Sequence, residues 1–112
     1  MGIKEKTYYL CGPMSFRADT DFNFPAFHDA AAKLRAMGLN VINPAENFGG
    51  DVTLPYDTYI NEALRQVNSA DAIIRLPGWE DSNGVRKECQ LATELGRRIY
   101  EYEDVLNMGM YL

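Results

Sequence analysis

The chain has 112 residues, a formal net charge of −5 and 24% charged residues, which suits one soluble domain with a single modest core. The negative charge argues against a nucleic-acid polymer or an anionic membrane as partner, but leaves room for a small anionic ligand. No secretory signal and no segment of transmembrane length is visible, so we expect a single cytoplasmic domain over residues 1–112. In that reduced setting Cys11 and Cys89 are expected to be buried thiols.

The first half of the chain alternates short apolar runs with one clear helical pattern. Residues 7–11 form the first predicted strand, ended by a glycine and a proline. Residues 24–37 predict a helix, because apolar residues recur there at helical spacing and a glycine follows as a stop. Residues 39–42 are a second strand candidate, and residues 45–55 are rich in turn residues and predict a loop.

The second half begins with a helix that opens at Pro55 or Tyr56. The apolar run at residues 72–76 follows this helix and is typical of a central strand in a parallel sheet. After a polar loop, Ser82 or Asn83 can cap the next helix, because both side chains accept hydrogen bonds from the first free N–H groups.

The order of these elements decides the fold class. Gly96 ends the last helix, residues 98–102 form a fourth strand candidate, and the tail 103–112 is expected to add an edge strand or to reach a neighbouring subunit. Alternating strands and helices predict an α/β fold: a three-layer, flavodoxin- or Rossmann-like open parallel sheet of four to five strands with helices on both faces.

One edge of such a sheet is expected to carry the ligand site. Right-handed crossovers place every loop that follows a strand along the carboxyl edge, where ligands of these folds bind. That edge collects residues 12–21, 43–55 and 77–84. It also receives the N-terminal halves of the helices, with Tyr56, Asp57, Tyr59, Glu62 and Glu88. Asp71 opens a strand at the opposite edge, so we expect it to be structural.

Glu88 is the candidate functional residue of the last helix. It borders the apolar stripe that contains Val85, Cys89 and Ala92, and no cation lies three or four residues from it. A carboxylate beside an apolar face, without a helical partner and close to a loop, indicates a functional group. No cluster of Cys, His and carboxylate residues has metal-ligand spacing, so neither a metal nor a cofactor is expected.

Two motifs lie on the elements that this arrangement predicts. The first is Y-L-C-G at residues 9–12, at a strand end, and the second is S-x-G-x-x-x-E at Ser82, Gly84 and Glu88. With these motifs the chain resembles, over residues 9–100, the nucleoside 2-deoxyribosyltransferase-like superfamily, which includes the 2'-deoxyribonucleoside 5'-monophosphate N-glycosidases. The resemblance is nearest to a compact branch common in phages and bacteria. It implies a homo-oligomer that acts on a small nucleotide or nucleoside.

The resemblance also implies roles for individual residues. Glu88 corresponds to the nucleophile that attacks the anomeric carbon of the sugar, and Tyr9 to the tyrosine that positions it. Ser82 stands where the transferases carry aspartate and the monophosphate glycosidases carry a phosphate-binding serine, which favours a nucleotide over a free nucleoside. The nucleotide-binding residues then expected are Gly12, Arg17, Trp79, Ser82, Gly84 and Arg86. Trp79 either stacks on a base or covers the sheet edge.

One position departs from the family pattern. The resemblance places an aspartate that helps to protonate the leaving base eight residues before Asp71, the aspartate of the A-D pair that precedes the apolar run at residues 72–76, and this chain has Ala63 there. Glu62 is adjacent and is the candidate acid. Neighbouring residues of a helix point about 100° apart around its axis, however, so Glu62 does not simply take the place of an acid at position 63. Asp57 or Glu46 could reach the base instead. A missing general acid typically costs on the order of 10²–10⁴-fold in rate.

Three functions therefore remain as hypotheses from the sequence. The first is an enzyme that cleaves an N-glycosidic bond, with water or a second base as acceptor. The second is a protein that binds a nucleotide or a nucleotide-derived signal without turning it over, which Ala63 motivates. The third is an interaction domain that keeps the fold and has lost the site.

Overall fold

The computed structural model describes residues 6–14 and 23–108 and contains one parallel sheet. Its four strands are β1 (Thr7–Cys11), β2 (Asn40–Ile42), β3 (Ala72–Arg75) and β4 (Arg98–Glu101). The helices are α1 (Phe24–Ala36), α2 (Tyr56–Ser69), α3 (Asn83–Glu94) and α4 (Tyr102–Met108), with 3-10 turns within Pro44–Gly50 and Trp79–Asp81. The strand order is β2-β1-β3-β4 and every pair is parallel. This is the expected α/β fold, with four strands.

Two apolar clusters lie on opposite faces of the sheet and make the fold three-layered. Side chains alternate between faces along a strand, so Tyr8 and Leu10 contact one cluster and Tyr9 and Cys11 the other. The first cluster includes the buried residues of α1 together with Val105 of α4. The second includes the buried residues of α2 and α3. Helices α1 and α4 therefore cover one face, and α2 and α3 cover the other.

The strand order reverses between β1 and β3. The chain runs from β1 outward to β2, then returns across β1 to β3 and continues to β4. A reversal of this kind opens a crevice at the carboxyl ends of the two central strands. Just past those ends, the N–H of Leu76 donates to the carbonyl of Cys11 at 2.7 Å. A Cβ at Gly12 would lie 2.8 Å from Cβ of Leu76, so only glycine fits this close approach.

Asp71 lies at the amino end of the sheet, far from that crevice. Its carboxylate accepts the N–H of Thr7 at 2.7 Å, and its own N–H donates to the Thr7 carbonyl at 2.8 Å. These bonds join the start of β3 to the start of β1. The predicted structural role of Asp71 is confirmed.

The predicted edge strand in the tail is wrong for the residues that are described there. Residues 102–108 form helix α4, and β4 ends one residue earlier than predicted. Val105 is the one residue of α4 classed as fully buried among those described, so this short helix has no apolar period to detect. The end of the tail, residues 109–112, lies outside the described residues.

The predicted loop after β2 contains 3-10 turns. Asn43 begins them, because its side-chain oxygen accepts the N–H of Ala45 at 3.0 Å. Pro44 and Ala45 are buried, so this segment is packed against the domain rather than exposed throughout. Over residues 6–14 and 23–108, no helix has both the length and the apolar content needed to cross a membrane.

Candidate active site

A cavity of about 300 Å³ lies at the carboxyl edge of the sheet, beside the end of β1. Its walls are formed by residues after β1, the 3-10 segment, the first half of α2 and the start of α3. Its apolar and aromatic wall includes Met14, Phe27, Tyr56, Tyr59, Ile60 and Ala63. The volume is at the small end of the range for ligand pockets and suits a compact ligand.

Glu88 is the acidic group of this cavity. It lies on the buried face of α3 between Val85 and Ala92 and is only 6% exposed. Among the described residues, its Oε2 atom has no hydrogen-bond partner. Burial raises the pKa of Glu88 to about 8, a hydrogen bond with Tyr9 pulls in the opposite direction, and the neighbouring Cys89 raises it further. A buried carboxyl with a free oxygen beside a cavity is typical of a functional group.

Tyr9 reaches Glu88 from the sheet. It lies on β1, is 1% exposed and faces α2 and α3, because it alternates with Tyr8 across the strand. Burial raises the pKa of Tyr9 well above its usual value, and the charge and hydrogen bond of Glu88 raise it further. The phenol therefore stays protonated and donates to the Glu88 carboxyl group. The structure brings the two residues together as the sequence predicted.

The start of α3 supplies backbone N–H groups beside the same cavity. Ser82 is the N-cap: its backbone is extended and its hydroxyl accepts the N–H of Val85 at 3.3 Å. Of the two predicted caps, Ser82 is thus the one used. Ser82, Asn83 and Gly84 all line the cavity. The N-terminus of a helix attracts anions, because its first N–H groups point outward and its dipole is positive there.

Gly84 leaves room on the cavity side of α3. A Cβ at this position would lie 3.6 Å from the Tyr56 hydroxyl and 3.8 Å from Ile60, which are ordinary contact distances. We expect Gly84→Ala to fold normally, with stability equal or higher by up to about 1 kcal/mol, because alanine favours a helix. The added methyl should weaken ligand binding by about tenfold, or about 1.4 kcal/mol.

Calorimetric titration with the nucleotides that the sequence resemblance implies, next to thermal unfolding, checks this prediction. Gln90→Ala, an exposed change on the same helix, is the control and should bind like the wild type. Equal affinity in Gly84→Ala and the wild type would contradict a ligand site at the start of α3.

Several residues that the sequence placed in the site do not line the cavity. Trp79 lies under the guanidinium of Arg75, 3.6 Å from the ring centroid, and lines a second cavity beyond β3 and β4. Glu62 pairs with Arg65 on α2. Arg86 is exposed and donates to the carbonyl of Glu80 at 2.6 Å. Arg17 lies outside the described residues.

The acid expected from the family pattern is not replaced by another described carboxyl group. Ala63 does line the cavity and is 8% exposed, so the position itself faces the site. Glu46 instead forms two hydrogen bonds with Arg35, at 2.9 and 3.0 Å, and neither Glu46 nor Asp57 lines the cavity. Within the described part of the chain, Glu88 is the only carboxylic acid in the wall.

Several lining residues were not predicted as site residues, among them Asn47 and Phe27. Asn47 reaches the cavity from the 3-10 segment, where it exchanges two hydrogen bonds with Gln66 at 2.8 and 3.0 Å. Its signal was the N-P-A-E-N run directly after β2, at the edge where ligands were expected. Phe27 belongs to the apolar pattern that predicts the helix over residues 24–37, and it both packs in the core and lines the cavity. Over residues 6–14 and 23–108, no group of three potential metal ligands is found.

The fold and the cavity define a class of protein: a Rossmann-like α/β domain with a candidate active site at the reversal point of its sheet. Residues 6–101 match the model of the family described as Domain of unknown function (DUF4406), and the chain belongs to that family. No curated protein matches the chain.

A solved structure shares this fold. The "2-desoxiribosyltransferase from Leishmania mexicana" is similar with a TM-score of 0.64 and 21% sequence identity. The match covers 86% of this chain and 63% of that protein, so this chain spans less than two thirds of its length. At this identity the likeness shows a common fold.

Proposed function

We propose that the protein cleaves the N-glycosidic bond of a (deoxy)nucleoside 5'-monophosphate, or transfers its deoxyribosyl group, with Glu88 as the nucleophile. The observation that carries this proposal is the buried carboxyl of Glu88, a residue that lines the cavity: one oxygen of this carboxyl has no hydrogen-bond partner among the described residues, and the group hydrogen-bonds to Tyr9. The S-x-G-x-x-x-E motif and the fold shared with a protein named as a deoxyribosyltransferase support it.

The chemistry needs only one carboxylate to begin. An oxygen of Glu88 forms a bond to the anomeric carbon, while the electron pair of the C–N bond leaves with the base. The developing positive charge on the sugar is stabilised by the same carboxylate. Water then cleaves the glycosyl ester in a hydrolase, or a second base does so in a transferase.

The start of α3 is proposed to hold the 5'-phosphate. Glu88 lies five residues after Asn83, which is about 7.5 Å along the helix axis at 1.5 Å per residue. A nucleotide whose phosphate lies at the Ser82–Gly84 N–H groups can therefore extend its sugar toward Glu88. The part of the apolar and aromatic wall that lies on α2 would contact the base. The homo-oligomer implied by the resemblance remains a prediction.

A panel of nucleotides tests the activity. The purified protein is incubated with the ribo- and deoxyribonucleoside 5'-monophosphates and with the matching nucleosides, and free base is separated by chromatography. Release of base by the wild type but not by Glu88→Gln supports the proposal, and preference for monophosphates supports the phosphate site. No release from any compound, with or without an acceptor base, would overturn it.

The pH dependence of base release follows from the pKa of Glu88. At pH 7 a group with a pKa of about 8 is ionised in about one molecule in ten, and only the ionised form is a nucleophile. We expect kcat/KM to rise by roughly tenfold between pH 7 and pH 9, with an apparent pKa near 8. Initial rates at saturating and limiting substrate measure this. A rate that falls over this range would mean that protonated Glu88 acts as an acid, contrary to the proposal.

A second function is favoured by Ala63. Because no described carboxyl group other than Glu88 lines the cavity, protonation of the leaving base has no evident donor there. The second proposed function is therefore that the protein binds a nucleotide or nucleotide-derived signal and releases it intact. Mass spectrometry of ligands extracted from the purified protein distinguishes the two functions, since an intact nucleotide that survives incubation supports binding and free base supports catalysis.

A further inference from the structure

Two cysteines that are 78 positions apart in the sequence meet beside Glu88. Cys11 is the last residue of β1 and is fully buried, and Cys89 follows Glu88 on α3. Both side chains lie in the second apolar cluster, and the hydrogen bond between them is the largest single influence on the pKa of each thiol. Thiols in contact on two different elements can form a disulfide with only a small shift of side chains, provided that the backbone geometry permits it.

A fixed cation lies against one of the two sulfur atoms. Nη1 of Arg75 is 3.7 Å from Sγ of Cys89. The guanidinium is held in place by two contacts. The carboxylate of Glu101 accepts a hydrogen bond from Nε of Arg75 at 3.0 Å, and the ring of Trp79 lies beneath the guanidinium. A guanidinium beside sulfur favours the thiolate, which is the reactive form of cysteine. Cys89 is also partly exposed, contrary to the expectation of two buried thiols.

The two sulfur atoms differ in the way that a reactive and a resolving thiol differ. The hydrogen bond from Cys11 lowers the pKa of Cys89, burial opposes this, and Arg75 lowers it further. The pKa of Cys11 is raised by its bond to Cys89 and by burial. Cys89 is thus the thiolate that meets an oxidant, and Cys11 is the protected thiol beside it.

We propose that Cys89 and Cys11 form a peroxide-sensitive pair that closes into a reversible intramolecular disulfide. The Cys89 thiolate attacks one oxygen of a hydroperoxide, the O–O bond breaks, and the released alkoxide or hydroxide takes up a proton, which leaves Cys89 as a sulfenic acid. The sulfur of Cys11 then attacks the sulfur of Cys89, and the S–O bond breaks to release water with the Cys11 proton. Two thiols lose two electrons and two protons, and the hydroperoxide is reduced to an alcohol or water, with one further water formed.

This modification site is independent of the proposed nucleotide chemistry, yet it adjoins the same cavity. Cys11 precedes Gly12 and Cys89 follows Glu88, and both of these neighbours line the cavity. The disulfide would fix the end of β1 to α3 at the level of Glu88. It would also remove the Cys89 thiolate, whose charge raises the pKa of Glu88.

Oxidation of the full chain by hydrogen peroxide tests the proposal. The expected product is a monomer that has lost two hydrogen atoms, yields a disulfide-linked peptide containing Cys11 and Cys89, and regains both thiols with dithiothreitol. Peptide mapping is needed because the five methionines can each gain an oxygen. Disulfide-linked dimers, sulfinic acid at Cys89 without a disulfide, or two thiols that persist under peroxide would each overturn it.

Single substitutions separate the two thiols and the cation. Cys11→Ser, or Cys11→Ala if the serine variant does not fold, should trap sulfenic acid at Cys89, which a dimedone probe detects. Cys89→Ser should leave Cys11 unmodified. Arg75→Gln should slow oxidation of Cys89 by several-fold, whereas Arg75→Lys should retain most of the rate because it keeps the charge. Equal rates in the glutamine and lysine variants would contradict the role of Arg75.

Discussion

Replacement of Glu88 by glutamine is expected to abolish base release and, at the same time, to stabilise the folded protein by about 3 kcal/mol at pH 7. Glutamine has the shape of the protonated glutamate but never carries a charge. The carboxyl has a pKa of about 8 in the folded protein and 4.5 as its ordinary value. Each pKa unit corresponds to about 1.36 kcal/mol, so the 2.5 units between 4.5 and 7 amount to about 3 kcal/mol.

The sign of this change in stability, and its dependence on pH, follow from proton binding. The folded protein binds the Glu88 proton more tightly than the unfolded chain does. Below pH 4.5 the carboxyl is mainly protonated in both states, so it does not lower the free energy of unfolding there. Stability is then lost progressively up to pH 8, and the loss levels off above that pH. The difference between Glu88→Gln and the wild type should therefore be near zero at pH 4, about 3 kcal/mol at pH 7 and about 5 kcal/mol at pH 9.

Urea denaturation at the three pH values measures this difference. Glu94→Gln is the matched control: it removes an exposed carboxylate from the same helix and should change the free energy of unfolding by less than about 0.5 kcal/mol at every pH. A Glu88→Gln variant that is less stable than the wild type at pH 7, or whose advantage does not grow with pH, would contradict a buried, mainly protonated Glu88.

A carboxyl that destabilises its own fold calls for an explanation. A hydrophobic residue of similar volume at this position would pack against Tyr9 and Val85 without the free-energy cost of burying a charge. Natural proteins keep such groups where function needs them. The free Oε2 atom points to the same conclusion, since among the described residues nothing uses that oxygen for structure.

The fold was predictable because its local signals agree with its global arrangement. Apolar runs marked the strands, and Gly38 and Gly96 ended two helices with positive φ angles of 91° and 72°. Helix α4 was not predictable, because one buried residue in a short helix gives no period. Its position depends on packing against the sheet beside Tyr100, a contact that exists only after folding.

The site was predictable only in part, and Trp79 shows why. Sequence and topology placed its segment at the ligand edge, but they do not fix the direction of a side chain. Gly78 turns the chain with a φ of 85°, and the Trp79 ring then lies against Arg75, on the side of β4. Glu88, Ser82 and Gly84 converged as predicted because the geometry of a single helix fixes their relation.

The contact between Cys11 and Cys89 could not have been found in the sequence. The two residues were assigned correctly to a strand and to the inner side of a helix. However, their register depends on how α3 packs on β1, which is a property of the whole second cluster. Topology brings a set of elements together, and side-chain packing decides which residues touch.

Ala63→Asp is expected to increase base release by about 10²-fold or more. Ala63 lines the cavity that contains Glu88 and occupies the position at which the resemblance places an acid. A carboxyl group there would face the same small space as Glu88. Two carboxyl groups in such a space resist ionising together, so the pair retains one proton near neutral pH. That proton can pass to the departing base, which is the step a general acid accelerates by 10²–10⁴-fold.

Ala63→Asn separates acid catalysis from mere polarity at this position. Asparagine has nearly the same size as aspartate and can hydrogen-bond to a base, but it has no carboxyl proton to donate. Single-turnover base release by the wild type, Ala63→Asp and Ala63→Asn, with urea denaturation to confirm folding, makes the comparison. An equal gain in both variants would assign the effect to binding, and a folded Ala63→Asp without any gain would show that the cavity does not place a base beside α2. Loss of the gain in the double variant Ala63→Asp with Glu88→Gln would show that the new acid works only with the carboxylate on α3.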